Sequence, residues 1–293
     1  MNKVTFGKRR INDLLRFMQE RQRISFKRAR GDPPPWTRDA ILREYRFTNI
    51  YRECDVVTAW IDTNVRKPYA HDPDLWFMLC LSRAVNEPAT IADLISARGA
   101  WPADGTWSEA AYRRVLESRR SRGLRFANPA YITLGTVKWM GPLWKQRVFA
   151  KPYINAERTM AGMHSTLTMF RGMGSFVAGQ VVADMRFTRY LRDAPDKLTW
   201  TARGPGSMRG LNRIVGRDVD ARWTADEFAA TCARLYGLIM PRWIATDFDD
   251  IEKPFELHEI ENSLCEFDKY ERARLGEGRP KQKYHYGQQL KES

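Results

Sequence analysis

Three stretches of this sequence carry carboxylates, arginines and glycines at spacings that could do chemistry. In ELHEIENSLCEFDKYERARLGEGRP, residues 256–280, a helical reading puts Leu257, Ile260, Leu264 and Phe267 on one apolar stripe. Glu261, Cys265 and Asp268 then border it on one flank, and Glu259 and Glu266 on the other. Partial burial raises a carboxylate pKa towards neutrality, which suits a general acid or base. A solvated acidic face balanced by Lys269, Arg272 and Arg274 would use the same residues.

In REYRFTNIYRECDVVTAWI, residues 43–61, the spacing predicts a helix with Phe47, Ile50, Tyr51, Cys54, Thr58 and Ile61 on its buried face. Thr48, Arg52 and Asp55 would line one flank, where an arginine beside a carboxylate could hold a phosphate or orient another side chain. It could equally be a surface ion pair. TARGPGSMRGLNRIVG, residues 201–216, sets a glycine turn before a short run with Leu211, Ile214 and Val215 inward and Arg209, Asn212 and Arg213 outward. That pattern is similar to the second half of a helix-hairpin-helix element, whose backbone amides approach a DNA phosphate. No Gly-Lys-Ser/Thr follows and no strand leads in, which excludes a Walker loop and a dinucleotide fingerprint. A plain glycine-capped corner remains the alternative. Finally, GMGSFVAGQVVADMRF places Gln180 one turn before Asp184, where the first could read a base edge and the second assist chemistry. Close helix packing would also account for Gly172, Gly174 and Gly179.

The elements that position these residues read as predominantly α-helical, with roughly ten helices. Thr106 with Glu109 and Thr224 with Glu227 match capping boxes, and Asp72 before Pro73 reads as a cap with a first-turn proline. Tyr131, Ile132, Leu134 and Val137 could form one short extended piece. From Lys3 to Arg30 there are ten Lys or Arg against Asp13 and Glu20, with Ile11, Leu14, Leu15 and Met18 at helical spacing. This predicts a basic amphipathic helix and mobile arm over 1–35, ending at the Pro33–Pro35 linker. A globular domain over 36–284 and a polar tail over 285–293 follow.

With 293 residues, 43% of them hydrophobic, the chain can bury a real core, and a net charge of +14 points to a polyanionic partner, most often nucleic acid. Cys54, Cys80, Cys232 and Cys265 form no C-x-x-C pair and the four histidines do not cluster with them, so neither a zinc site nor a disulfide framework is expected. No apolar run approaches a membrane span and the N-terminus lacks the apolar core of a signal peptide, so the chain reads as a cytoplasmic protein.

FTNIYRECD, GPGSMRGLNR and EIENSLCEFDKYERARLGEGRPKQKY, in that order, resemble the alpha-glutamyl/putrescinyl thymine pyrophosphorylases, also described as amino acid:DNA transferases and related to the helical domain of 5-hydroxymethyluracil DNA kinases. The resemblance covers most of residues 36–284 and implies a helix-hairpin-helix DNA glycosylase-like fold and a role in phage DNA hypermodification. In the implied reaction an amino acid or putrescine displaces the phosphate or pyrophosphate from phosphorylated 5-hydroxymethyluracil in double-stranded DNA, after base flipping. A separate hydroxymethyluracil DNA kinase would supply the phosphorylated base. Glu261, Asp268, Glu266 and Asp184 are then the candidates to take the proton from the amine. Asn49, Arg52, Asp55, Gln180 and Lys269 are those to bind phosphate and substrate, and Gly204, Gly206, Ser207, Arg209, Gly210, Asn212 and Arg213 those to grip DNA. No metal or cofactor is demanded, although hairpins of this type can hold a monovalent cation through backbone carbonyls. A glycosylase-like enzyme acting on a modified base, or a non-catalytic module presenting DNA to the kinase, are the competing expectations.

Overall fold

The computed structural model describes residues 4–128, 137–244 and 254–284. These hold thirteen α-helices and, among the described residues, no strand beyond an isolated antiparallel bridge between Tyr45 and Lys283. Of the predicted extended piece, Tyr131, Ile132 and Leu134 lie outside the described residues, and Val137 is the first residue of a helix, not of a strand. The chain divides into two compact units, Met1–Asp55 with Leu198–Ser293, and Val56–Lys197.

The first unit is built on α1 (Lys8–Ala29), α2 (Ala40–Glu44), α11 (Pro205–Val215), α12 (Ala225–Ile244) and α13 (Leu257–Leu275). The basic N-terminal helix is part of its core and not an arm preceding a domain that starts at 36. Ile11, Leu14, Leu15, Phe17 and Met18 pack in one cluster with Leu211 and Ile214 of α11, Phe228 and Leu235 of α12, and Leu257, Ile260, Leu264 and Phe267 of α13. Burying five such side chains is worth on the order of 10 kcal/mol before chain entropy, which explains why the helix is held down despite its charge. Gly216 and Gly276, at φ 70° and 74°, end α11 and α13 in the left-handed conformation that glycine adopts without strain. The capping box predicted at Thr224 is present, with the Thr224 hydroxyl accepting from Glu227 N–H and the Thr224 N–H donating to the Glu227 carboxylate.

Helices α11 and α13 approach closely along a glycine face. A Cβ at Gly210 would lie 2.1 Å from the carbonyl oxygen of Leu264, and one at Gly206 would lie 2.6 Å from Cys265 Sγ. These two glycines, four residues apart, sit one above the other on the helix surface and let the backbones meet.

The second unit contains α3 (Val56–Ile61), α4 (Leu75–Val85), α5 (Pro88–Ser96), α6 (Glu109–Ser121), α7 (Val137–Lys145), α8 (Arg147–Ala156), α9 (Met160–Thr168) and α10 (Ser175–Met185). Every residue of α4 is buried, which makes it the central helix of this unit. Two predicted starts shift. The N-cap of α6 is Ser108, accepting from Ala111 N–H, while Thr106 turns back to the Ala103 carbonyl. The turn at Asp72 precedes α4, which begins at Leu75, and its carboxylate accepts from Asp74 N–H.

Candidate active site

Residues 47–55 do not form the predicted helix. They run as a loop with a single 3₁₀ turn at Arg52–Cys54, and helix resumes only at Val56. Ile50 and Tyr51 are buried as the stripe predicts, yet Cys54 is exposed. Hydrogen bonds to two other elements hold the loop instead. Arg21 of α1 donates through Nη2 to the Thr48 carbonyl at 2.6 Å and through Nε to the same oxygen at 3.1 Å. From α13, Glu266 accepts the Thr48 N–H at 3.1 Å, and Asn262 accepts the Thr48 hydroxyl at 3.1 Å while donating to the Asn49 carbonyl at 2.9 Å. Within the loop, Asn49 N–H donates to Asp55 Oδ1 at 2.8 Å, the Asn49 amide donates to the Cys54 carbonyl at 2.8 Å, and Arg52 lies 3.2 Å from Asp55 Oδ2.

Neither Arg21 nor Asn262 belongs to the motifs that spacing points to. Arg21 could have been found, because it continues the Leu14–Met18 stripe of α1 by three residues and is therefore aimed at the core. Asn262 carries no comparable local signal.

Charges along α13 are treated differently. Burial alone would raise the Glu266 carboxyl, but Lys269 at 2.6 Å, the Arg21 guanidinium and the Thr48 N–H outweigh it and hold the group below its ordinary range. Burial lifts Asp55 above the usual value despite Arg52 and the Asn49 N–H, and lowers the Arg21 guanidinium to about 10 despite Glu266 and Asp55. Glu261 is pushed up to about 7 by burial, against a hydrogen bond from Ser207 and the charge of Arg52, with Glu259 and Glu266 adding to the rise. The Cys265 thiol, buried and beside Glu266 and Glu261, is pushed up to about 12 and stays protonated. Neighbouring carboxyls are thus driven in opposite directions, Glu266 to the anion and Glu261 to a group that exchanges protons near neutral pH.

Asp268 faces α11 and takes another part. Arg209 Nε lies 3.2 Å and Arg213 Nε 2.8 Å from its oxygens, with Arg272 at 3.2 Å. Arg213 also bonds Glu277, and Arg209 reaches Asp220 at 3.0 Å. The residues assigned by sequence to DNA backbone are therefore joined to their own fold. Ser207 Oγ accepts the Gly204 N–H at 3.0 Å. Asn212 is buried, donating to the Val219 and Ala221 carbonyls and accepting from Trp223 Nε1 at 2.7 Å. Gly206 and Gly210 are closed against α13.

Asp184 and Gln180 lie on α10 of the second unit. Asp184 is buried and receives Arg83 through two hydrogen bonds of 2.5 and 2.6 Å, while Arg83 also donates to Thr58 and Asn86. That closed network satisfies the charge where it stands. Gln180 is half-buried one turn earlier.

Among the described residues no group of three or more His, Cys, Asp or Glu could hold a metal ion, and no helix is long and apolar enough to cross a membrane. The family model for the 5-hmdU DNA kinase, helical domain, matches residues 8–279. No curated protein and no solved structure matches the chain.

Proposed function

Because the chain belongs to the 5-hmdU DNA kinase helical-domain family, we propose that it is a transferase acting on phosphorylated 5-hydroxymethyluracil in DNA, replacing the phosphate or pyrophosphate with an amine. The observation that carries this reading is Glu261, a half-buried carboxyl that desolvation pushes up to about 7 against the opposing hydroxyl of Ser207 and charge of Arg52. An amino acid or putrescine is mostly protonated at neutral pH and must lose a proton before its nitrogen can attack. A carboxylate that binds protons near pH 7 accepts that proton far more readily than an ordinary glutamate.

The step balances without a cofactor. The amine nitrogen forms a bond to the C5 methylene carbon as the C–O bond to the phosphoryl group breaks, and the oxygen leaves with the electron pair. Glu261 holds the ammonium proton and returns it to solvent. Arg52 is suited to offset the charge that grows on the departing group, and Lys269 of α13 is a second cation for that role. Glu266 and Asp55 fix the Thr48–Asp55 loop that presents Arg52. Presenting the base to such a site requires flipping it from the duplex, at about a few kcal/mol. A separate hydroxymethyluracil DNA kinase would supply the substrate, and a glycosylase-like hairpin relation of the fold belongs to the same proposal.

The test incubates the protein with duplex DNA carrying phosphorylated or pyrophosphorylated hydroxymethyluracil and glycine, glutamate or putrescine, then analyses digested nucleosides by mass spectrometry. An amine-bearing thymidine is expected. Loss of the base would indicate a glycosylase instead, and unchanged nucleosides with every amine and both leaving groups would sink the transferase reading.

A further inference from the structure

Arg209 and Arg213 pair with Asp268 and the glycines of α11 pack against α13, whereas α1 turns a row of arginines to solvent. We propose that duplex DNA docks along the exposed face of α1, its sugar–phosphate backbone held by Arg9, Arg16, Arg23 and Arg30. This rests on the reading of the chain as a DNA-modifying protein and specifies which face engages the duplex.

The four arginines are spaced seven residues apart. Seven residues fall only about 20° short of two helical turns, so the guanidiniums stay on one face and drift gently along it. From Arg9 to Arg30 the stripe runs roughly 31 Å at about 1.5 Å per residue, alongside about nine phosphates of one strand. Arg30 is the C-cap with helical backbone angles, so it keeps the phase of the others.

All four are exposed, with Arg16 at 77%, Arg23 at 52% and Arg30 at 68% of side-chain surface. Asp13 at 3.7 Å, Glu20 at 3.3 Å and Asp32 at 3.0 Å pair with them, but ion pairs at such exposed positions are worth about 0–1 kcal/mol and give way to a polyanion. Helix α12 widens the basic face. Its exposed Arg242 donates to Asn12 at 2.8 Å, and its exposed Arg234 lies over the Phe6 ring and donates to the Val4 carbonyl.

An anionic membrane would attract the same charges, but a helix lying in a bilayer surface inserts an apolar face. On α1 that face is already spent, because Ile11, Leu14, Leu15 and Met18 are buried in the core. Duplex DNA needs only the arginines.

The experiment compares the full chain with a variant carrying Arg9→Gln, Arg16→Gln, Arg23→Gln and Arg30→Gln. A charge-matched control carries Arg98→Gln, Arg114→Gln, Arg120→Gln and Arg122→Gln, all exposed in the second unit. Binding to an unmodified 30-base-pair duplex is measured from 50 to 200 mM salt, with circular dichroism confirming that each protein is folded. Four phosphate contacts contribute a salt slope of about 3.6, so wild type should lose about 150-fold more affinity than the stripe variant over that range. The control should behave as wild type. Equal slopes in wild type and the stripe variant, or equal losses in the two variants, would overturn the assignment while leaving the DNA-modifying reading in place. Binding of wild type to phosphatidylserine vesicles in preference to the duplex would also overturn it. Failure of wild type to bind duplex even at 50 mM salt would remove the assignment and the reading together.

Discussion

Replacing Glu261 with Gln should remove turnover while making the protein more stable at alkaline pH, and the two effects come from one cause. Burial moves the carboxyl from 4.5 to about 7, which corresponds to roughly 3 kcal/mol at about 1.4 kcal/mol per pH unit. The folded state prefers the protonated acid. Its favourable contribution is complete below pH 4.5, declines as pH rises towards about 7, and is lost above that, where folding must bury the anion. Glutamine is neutral throughout and keeps the Ser207 hydroxyl as a hydrogen-bond partner, so Glu261→Gln should melt like wild type at pH 4 and be more stable at pH 8 by at most about 3 kcal/mol. In the mass-spectrometric transfer assay the same variant should lose about 10²- to 10⁴-fold in rate, the range expected for a general base. Wild-type activity should rise with pH through about 7 as the carboxylate forms, and the residual activity of the variant should lack that limb. Two results would refute the reasoning: a variant that retains the wild-type rate and pH profile, or one that is less stable than wild type at pH 8.

Gly210→Ala should separate α11 from α13, since the new Cβ meets the Leu264 carbonyl at 2.1 Å, and should cost about 1–3 kcal/mol in thermal or urea unfolding. Gly237→Ala, on α12 with no heavy atom within 4 Å of its added Cβ, should instead gain up to about 1 kcal/mol; similar signs for the two would contradict the packing argument. Asp184→Asn should destabilise by about 3–5 kcal/mol because Arg83 is left buried beside a neutral group, with little change in transfer rate per folded molecule. If that variant melted like wild type but lost turnover, Asp184 would return as a reacting carboxylate. Arg21→Lys keeps a charge but loses the fork that grips Thr48, so backbone amide exchange across residues 48–55 should accelerate and turnover fall; unchanged exchange would remove Arg21 as the residue positioning the loop.

Much of the helical architecture was legible because it follows from local periodicity, and the stripe Leu257, Ile260, Leu264 and Phe267 is buried on α13 as read. The Phe47–Asp55 segment misled for a physical reason. Ile50 and Tyr51 are buried, but the spacing that imitates a helix face comes from a loop held by Arg21, Asn262 and Glu266, which stand 27 to 218 residues away from Thr48. No window of local sequence contains those partners. By composition Gly206 and Gly210 read as part of a phosphate turn, but their spacing of four residues is equally that of a helix face made for close packing, and both meet α13.

What distinguishes Glu261 from the other carboxyls singled out by spacing is the cation each one meets, and that lies beyond periodicity. Glu261, Cys265 and Asp268 share a flank of α13, so spacing alone made Glu261 and Asp268 equivalent candidates. Their fates diverge because Arg209 and Arg213 arrive from α11 and, with Arg272, surround Asp268, while Ser207 of that same helix brings Glu261 only a hydroxyl. Glu266 is neutralised in turn by Lys269, and Asp184 by Arg83. Glu261, half-buried beside a hydroxyl and an offset charge, is pushed up to about 7 and stands near the balance point between its two forms. The glycine face of α11 thus bears on both carboxyls. By bringing α11 against α13, it delivers two arginines to Asp268 and leaves Glu261 free to exchange its proton.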